Sequence, residues 1–343
     1  MAFEFGVFDH LDRGGFAVPE LYENRLRAIE RYDEHGFYAY HLAEHHGTEV
    51  GMAPSPGIFL ASAAQRTTRL RLGAMVYVLP AHNPLRLIEE ICMLDNLSRG
   101  RIEIGLGRGA SPYELAYFDV TSMQSRAIYS EACAVILAGL GSPVLNFSGK
   151  HFNYDGVAMV LQPVQLPRPP LWHGLVRANS VAWPVSLRMN VVVNGASRYV
   201  RTLTDAYKAE WLKAHGEDAL PKIGISRHIV VADTDTAALD AAREGYASWY
   251  ASNDSLWRVN GARGIYFPAT FEEAAELRTV IAGTPETVIR ALTREVEECG
   301  ANYLIGRFTF GSITIERVLR SIDLFGAEVM PALRKSCSAE AVV

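Results

Sequence analysis

The chain has 343 residues, 49% of them hydrophobic and 21% charged, which excludes a disordered protein because enough apolar surface is present to offset the entropy of ordering the backbone. The formal net charge of −5 comes without any basic stripe, which excludes a surface built to neutralise the phosphates of a nucleic acid. The start, MAFEFGVFDHLDRGG, is acidic and has no cationic lead into an apolar stretch, and no uncharged apolar run of about 18 residues follows, so a cytoplasmic protein without a membrane span is expected.

In chain order, residues 3–8 (FEFGVF) read as a strand, and residues 21–34 place Leu21, Leu26, Ile29 and Tyr32 near one helical face. The same alternation recurs. Strands are expected at 37–43, 70–79, 101–107, 169–176, 189–195, 222–232 and 302–308, with helices between them such as 84–97 and 126–140. Near-continuous apolar strands indicate a parallel sheet buried on both faces. About eight βα units with right-handed crossovers close into a (β/α)8 TIM barrel, an α/β fold spanning 1–343 as a single domain. An open doubly wound sheet is the alternative. The turn GLGRGA, with glycines at 105, 107 and 109 after a later strand, does not match the dinucleotide fingerprint such a sheet would carry.

Two segments break the rhythm. Residues 143–165 alternate polar and apolar residues around Gly149 and Asp155-Gly156, which predicts an inserted β-hairpin before the fifth barrel strand. Residues 251–283 form a long mixed loop segment, with Trp257, Tyr266 and Phe267 beside Gly261, Gly264 and Pro268; it reads either as an active-site lid or as a packed excursion. Thr284-Pro285-Glu286 then marks a helix start. The four cysteines, Cys92, Cys133, Cys299 and Cys337, are far apart and read as reduced, buried thiols.

Barrel enzymes hold their chemistry where strands end. The polar residues there are Glu44-His45-His46 after the second strand, residues 77–83 after the third, Arg108 after the fourth, and Arg177, Asn179 and Ser180 after the fifth. His41 to His45 fits H-x-x-E-H, but that zinc pattern needs a helix, and the aromatic run 37–40 predicts a strand; no metal is expected. His41 falls inside the strand pattern and reads as structural. Glu44, next to His45, is placed to fix its tautomer. Arg108, between two glycines, reads either as a phosphate-binding turn or as an exposed rim arginine.

The stretch HLAEHHGTEVGMAPSPGIFLA, followed by RLRLGAMVYVLPAHNPLRLIEEICMLDNLSRGRIEIGLGRG, resembles the bacterial luciferase-like flavin-dependent monooxygenases. The likeness continues through PPLWHGL, MNVVVNG, GTPETV and RVLRSIDLFGAEVMP, covering nearly the whole chain. It implies a barrel that accepts reduced FMN from an NAD(P)H:flavin reductase, reacts it with O2 and holds a C4a-peroxyflavin that oxygenates a small organic substrate. It also implies a homodimer. Carried onto this sequence, it places His45, with Glu44, beside the flavin for proton handling. It places a cis peptide at Met75-Val76 under the ring, and Arg108 on the phosphate. Met52, Met75 and Tyr77 would then form an apolar wall of the substrate pocket.

The sequence departs from the family at two places. Gly107 stands where luciferase has a reactive cysteine. Residues 175–180 read LVRANS where relatives carry a serine pair, which moves phosphate anchoring toward Arg177, Asn179 and Ser180 or points to a deazaflavin, F420, as hydride carrier. A noncatalytic flavin-binding protein is the remaining reading, and Glu44, His45 and Arg108 argue against it. The stripe Leu85, Ile88, Ile91 and Leu94 fits either a dimer contact or a barrel helix facing its own core.

Overall fold

The computed structural model describes residues 3–264 and 267–339; Tyr266 of the late segment and the side chain of Cys337 lie outside the described residues. In chain order the strands are β1 (Glu4–Asp9), β2 (Ala39–Leu42), β3 (Arg71–Val78), β4 (Ile102–Gly107), β5 (Val144–Ser148), β6 (Asn153–Ala158), β7 (Leu171–Gly174), β8 (Asn190–Val193), β9 (Ile223–Val231), β10 (Val280–Gly283) and β11 (Tyr303–Arg307). Eight of them run parallel in the order β1-β2-β3-β4-β7-β8-β9-β11, and the β11–β1 and β8–β9 pairings close the circle. This is the (β/α)8 barrel read from the sequence, and helices pack around it.

Helix α1 (Val18–Glu34) buries Leu21, Ile29 and Tyr32 on one face, with Leu26 half-buried at its edge. Helix α2 (Pro56–Arg66) lies beside α3 (Pro84–Ser98), which is capped by the Asn83 side chain, with Pro84 in its first turn. Ile88, Ile91 and Leu94 of α3 are buried in the barrel's own core, so that stripe is not a dimer contact. After β4 come the short α4 (Pro112–Ala116) and the long α5 (Ser122–Leu140). The predicted hairpin forms from β5 and β6 as an antiparallel pair. Glu131 of α5 accepts hydrogen bonds from the backbone N–H groups of Lys150, His151 and Phe152, which fasten the hairpin turn to the helix layer.

The remaining helices are α6 (Ala182–Ser186), α7 (Ser197–His215), α8 (Asp235–Val259), α9 (Phe271–Glu276), α10 (Pro285–Cys299), α11 (Ile315–Leu324) and α12 (Met330–Ala339). Here the late segment differs from the sequence reading. Residues 251–259 are the last turns of α8, 271–276 form α9 and 280–283 form β10. The cause is a buried stripe at helical spacing, Ala242, Tyr246, Trp249, Ser252 and Leu256, which continues unbroken past residue 251. Thr284 caps α10 as expected, accepting from the Thr287 N–H.

The lower, N-terminal half of the barrel is filled. Trp172 and Tyr303 are fully buried there, and Glu103 accepts hydrogen bonds from Tyr38 (2.6 Å), Arg71 (2.7 Å) and Trp172 Nε1. His41 sits in the same layer, its Nε2 3.3 Å from the Tyr303 hydroxyl; burial pushes its pKa down to about 4, as suits a neutral structural histidine. Strand β9 is longer than its neighbours. Its first residues pair with β8 and its last with β10, so the wall opens between β8 and β10 at the C-terminal rim.

Candidate active site

Strand β2 delivers the chain to the rim at Glu44-His45-His46. Glu44 is buried, yet its carboxylate accepts from His46 Nε2 (2.9 Å), from His82 Nε2 (2.8 and 3.0 Å) and from the Val78 N–H (3.0 Å). Burial alone would raise its pKa; the bonds from His46 and His82 outweigh burial and hold it below the ordinary carboxylate range. Burial lowers the pKa of His82, and Glu44 more than reverses this, so His82 is raised. Glu44 therefore joins the loops after β2 and β3. It does not orient His45. That role falls to Glu114 of α4, whose Oε1 lies 3.1 Å from His45 Nδ1 and whose Oε2 accepts from the His46 N–H at 2.9 Å. Adjacent residues on an extended chain point in opposite directions, which is why Glu44 and His45 cannot pair.

Strand β3 carries the Met75-Val76 peptide in the cis form, as the resemblance implied. The pairing of β3 with β4 slips here, between Ala74 and Tyr77. Both Met75 and Val76 contact the interior cluster of Trp172, Val192, Tyr303 and Ile305. A Cβ on Gly107 would meet Val76 Cγ2 at 1.9 Å and one on Gly105 would meet the Ala74 carbonyl at 2.4 Å, so these glycines make room for the bulge. The extra inward residue resets the strand's alternation. Tyr77 consequently turns outward, where its hydroxyl bonds Glu90 of α3 at 3.3 Å, and it is no pocket wall. Met52 is also placed elsewhere: it packs against the main core and its carbonyl accepts from Tyr22 at 2.6 Å.

Strands β4 and β7 are neighbours, with Gly105 opposite Trp172, so the residues that follow them share one stretch of rim. Arg108 is exposed there and donates to Ser125 Oγ at 3.1 Å. Arg177, Asn179 and Ser180 are exposed after β7, with Ser180 Oγ turned back to the Arg177 carbonyl at 2.7 Å. Tyr129 packs against Trp183 just beyond this segment. Neither arginine has a carboxylate partner among the described residues. Two unpaired cations flanked by an amide and hydroxyls form a donor set that fits a phosphate.

Several residues of the mouth were missed in the sequence. His10, directly after β1, has its ring 5.6 Å from the His45 ring, and its Nδ1 accepts from Trp249 Nε1 at 3.3 Å. Burial first, then the charge of Arg307, keeps His10 well below its ordinary pKa and therefore neutral. With Nδ1 accepting, the neutral ring carries its proton on Nε2. The strand-end rule that found His45 applies equally to FEFGVFDH and finds His10. Nothing local in the sequence signals Glu114 or Trp249, which reach the mouth from helices.

The fold and the position of these groups define a barrel enzyme with its polar machinery gathered at the carboxyl ends of the strands. The model of the luciferase-like monooxygenases matches residues 3–303, and the chain belongs to that family. Protein y4wF of Sinorhizobium fredii is 38% identical over 328 residues, covering 95% of this chain and 96% of its own length. The flavin-dependent trigonelline monooxygenase, oxygenase component, of Acinetobacter baylyi is 26% identical over 97% of this chain and 96% of its own. Among solved structures, the monooxygenase RslO1 from Streptomyces bottropensis shares the fold with a TM-score of 0.87 at 23% identity, covering 96% of this chain and 99% of that one. The oxygenating constituent of 3,6-diketocamphane monooxygenase from Pseudomonas putida, in complex with FMN, shares it with a TM-score of 0.81 at 19% identity, covering 96% and 98%. An F420-dependent secondary alcohol dehydrogenase shares it more distantly, at a TM-score of 0.71 and 16% identity over 97% and 99%.

Proposed function

We propose that this chain is the oxygenase component of a two-component monooxygenase, which takes reduced FMN from an NAD(P)H:flavin reductase and uses O2 to oxygenate a small organic molecule. The observation that carries this reading is the pair of exposed arginines, Arg108 and Arg177, that follow neighbouring strands without a carboxylate partner among the described residues, on the rim that also holds His45. Reduced FMN, when bound, supplies the two electrons that activate O2. Arg108 and Arg177, with Asn179 and Ser180, would hold its phosphate, and the Met75-Val76 bulge would receive its ring.

His45 holds or moves the proton. Glu114 accepts from Nδ1–H, which leaves Nε2 to accept or return a proton. Phe8, Trp249 and Phe267 surround His10 and keep water from the mouth. In the same reading a homodimer forms through the exposed Ile58 of α2 and Met93 and Leu97 of α3. The protein acts in the cytoplasm, where reduced flavin is made. Among the described residues no helix is long and apolar enough to cross a membrane.

Anaerobic titration of the protein with reduced FMN and with reduced F420 tests the proposal, followed by O2 uptake with a reductase present. Preference for FMN of at least about tenfold, about 1.4 kcal/mol, is expected. A comparable preference for F420 would replace oxygenation by hydride transfer, and FMN binding without O2 uptake would leave a flavin carrier.

A further inference from the structure

A cavity of about 470 Å3 opens at the break in the barrel wall between β8 and β10. Its floor carries the buried Ser226, His228 and Arg307, the exposed Asn194 and half-buried Phe267 stand at its wall, and the exposed Glu273 and Glu276 lie at its outer rim. Arg307 ends β11. Tyr303, Ile305 and Arg307 alternate onto the inward face of that strand, so the guanidinium forms the top layer of the barrel interior.

The surroundings of Arg307 are unusual for a buried cation. It is 4% exposed, and its guanidinium lies 4.8 Å from the centre of the Phe8 ring and 5.0 Å from that of Phe267. Among the described residues it makes one hydrogen bond, from Nη2 to Asn194 Oδ1 at 3.3 Å, and its buried Nε has no partner. Among the described residues no carboxylate pairs with it. The other buried arginines among the described residues are neutralised: Arg25 by Asp9 and Asp12, and Arg227 by Glu295. A guanidinium offers five N–H donors, and a buried charge without a counter-charge is costly. Two further buried groups beside it lack partners, Ser226 Oγ and His228 Nε2. With Asn194 Oδ1 engaged by Arg307, the Asn194 amide N–H2 also remains to donate.

We propose that this cavity is a carboxylate subsite, in which Arg307, Ser226 and Asn194 bind the carboxylate of a small monoanionic organic substrate. The rim sets the charge. Glu273 and Glu276 repel a dianion such as a phosphate ester about twice as strongly as a single carboxylate at the same place. The location sets the role. Phe8 touches both Arg307 and His10, and the His10 ring faces that of His45, so the subsite lies two side chains away from the proton-handling histidine. Burial pulls the Arg307 pKa down only to about 9, so the cation persists at neutral pH. The subsite assigns a substrate class to the reading proposed above and rests on it for its catalytic meaning, but binding itself needs no flavin.

The test is calorimetric and thermal-shift titration of the full chain, without flavin, using formate, cyclohexanecarboxylate and benzoate against formamide, cyclohexanecarboxamide and benzamide. The acids should bind at least tenfold more tightly than the amides and raise Tm with concentration, logarithmically above Kd. Arg307→Met, close in length and uncharged, should fold and lose the preference; Arg307→Lys, which keeps a point charge but not the planar fork, should keep part of it. Equal binding of acids and amides, no binding of any acid, or an unchanged preference in Arg307→Met would overturn the proposal. Carboxylate binding in a protein that ignores reduced FMN would overturn the monooxygenase reading instead, so the two failures are distinct.

Discussion

His45 takes its carboxylate from Glu114, 69 residues further along the chain, with Nδ1 and Oε1 3.1 Å apart. The bond fixes the ring and, for a neutral imidazole, places the proton on Nδ1. Glu114 is itself held, because its backbone N–H donates to Ser111 Oγ at the start of α4 and its other oxygen accepts from the His46 N–H.

His45→Ala should therefore leave reduced-flavin affinity within about threefold, since no phosphate contact is lost. The yield of oxygenated product per O2 consumed should fall by about 100-fold, the usual lower bound for a lost general acid–base. Glu114→Gln keeps a hydrogen-bond acceptor but not the charge, and should fall between the two. Paired oxygen-electrode and product measurements decide this. Full coupling in His45→Ala would remove the histidine from the chemistry.

Arg108 and Arg177 predict a phosphate-specific defect. A charge-assisted bond contributes roughly 1.5–3 kcal/mol, so Arg108→Ala should weaken FMN binding by about 10- to 100-fold. Riboflavin, which lacks the phosphate, should bind the variant and the parent alike. Equal losses for both ligands would mean that Arg108 supports the loop and not the cofactor.

Gly107 predicts a stability effect with a built-in rescue. A Cβ at this position would sit 1.9 Å from Val76 Cγ2. Gly107→Ala should therefore cost about 1–3 kcal/mol as an overpacked site, and Val76→Ala in the same chain should recover most of it. Chemical denaturation of the two single variants and the double variant measures the coupling. Simple additivity would show that the two residues do not clash.

The contrast between His10 and Glu114 explains how much of this site was legible in the sequence. Strands and the barrel could be read because their apolar runs are local and continuous, and the strand-end rule found His45, Arg108 and Ser180 and would equally have found His10. The cis peptide at Met75-Val76 came only from the family likeness. Partners brought by tertiary packing, such as Glu114 to His45 or His82 to Glu44, leave no local mark. Tyr77 was misplaced because a bulge reverses strand alternation without changing composition, and the end of α8 was missed because Gly261 and Gly264 drew attention away from the stripe ending at Leu256. Arg307 looks in the sequence like any strand-end arginine; only burial without a carboxylate distinguishes it.

The Glu44 cluster predicts a pH dependence whose sign follows from its two shifts. Glu44 is held below its ordinary range by His46 and His82, so its contribution to stability is present above the unfolded carboxylate value of about 4.3 and is lost as pH falls through the folded value. His82 is raised by Glu44 over the opposing effect of burial. Its contribution is complete below the unfolded imidazole value of about 6.5 and disappears as pH rises through the folded one. The two windows overlap between about pH 4.3 and 6.5. Other groups complicate the raw curve: Asp12 is pushed up to about 7 by burial, and His228, like His10, is pushed down, mainly by burial. Comparison with His82→Asn, which can still donate a neutral hydrogen bond, cancels those contributions because they are common to both proteins. The wild-type advantage in Tm should be largest near pH 5.5 and shrink steadily above pH 7. A difference that is flat with pH, or that grows toward pH 9, would mean that the Glu44–His82 contact carries no charge.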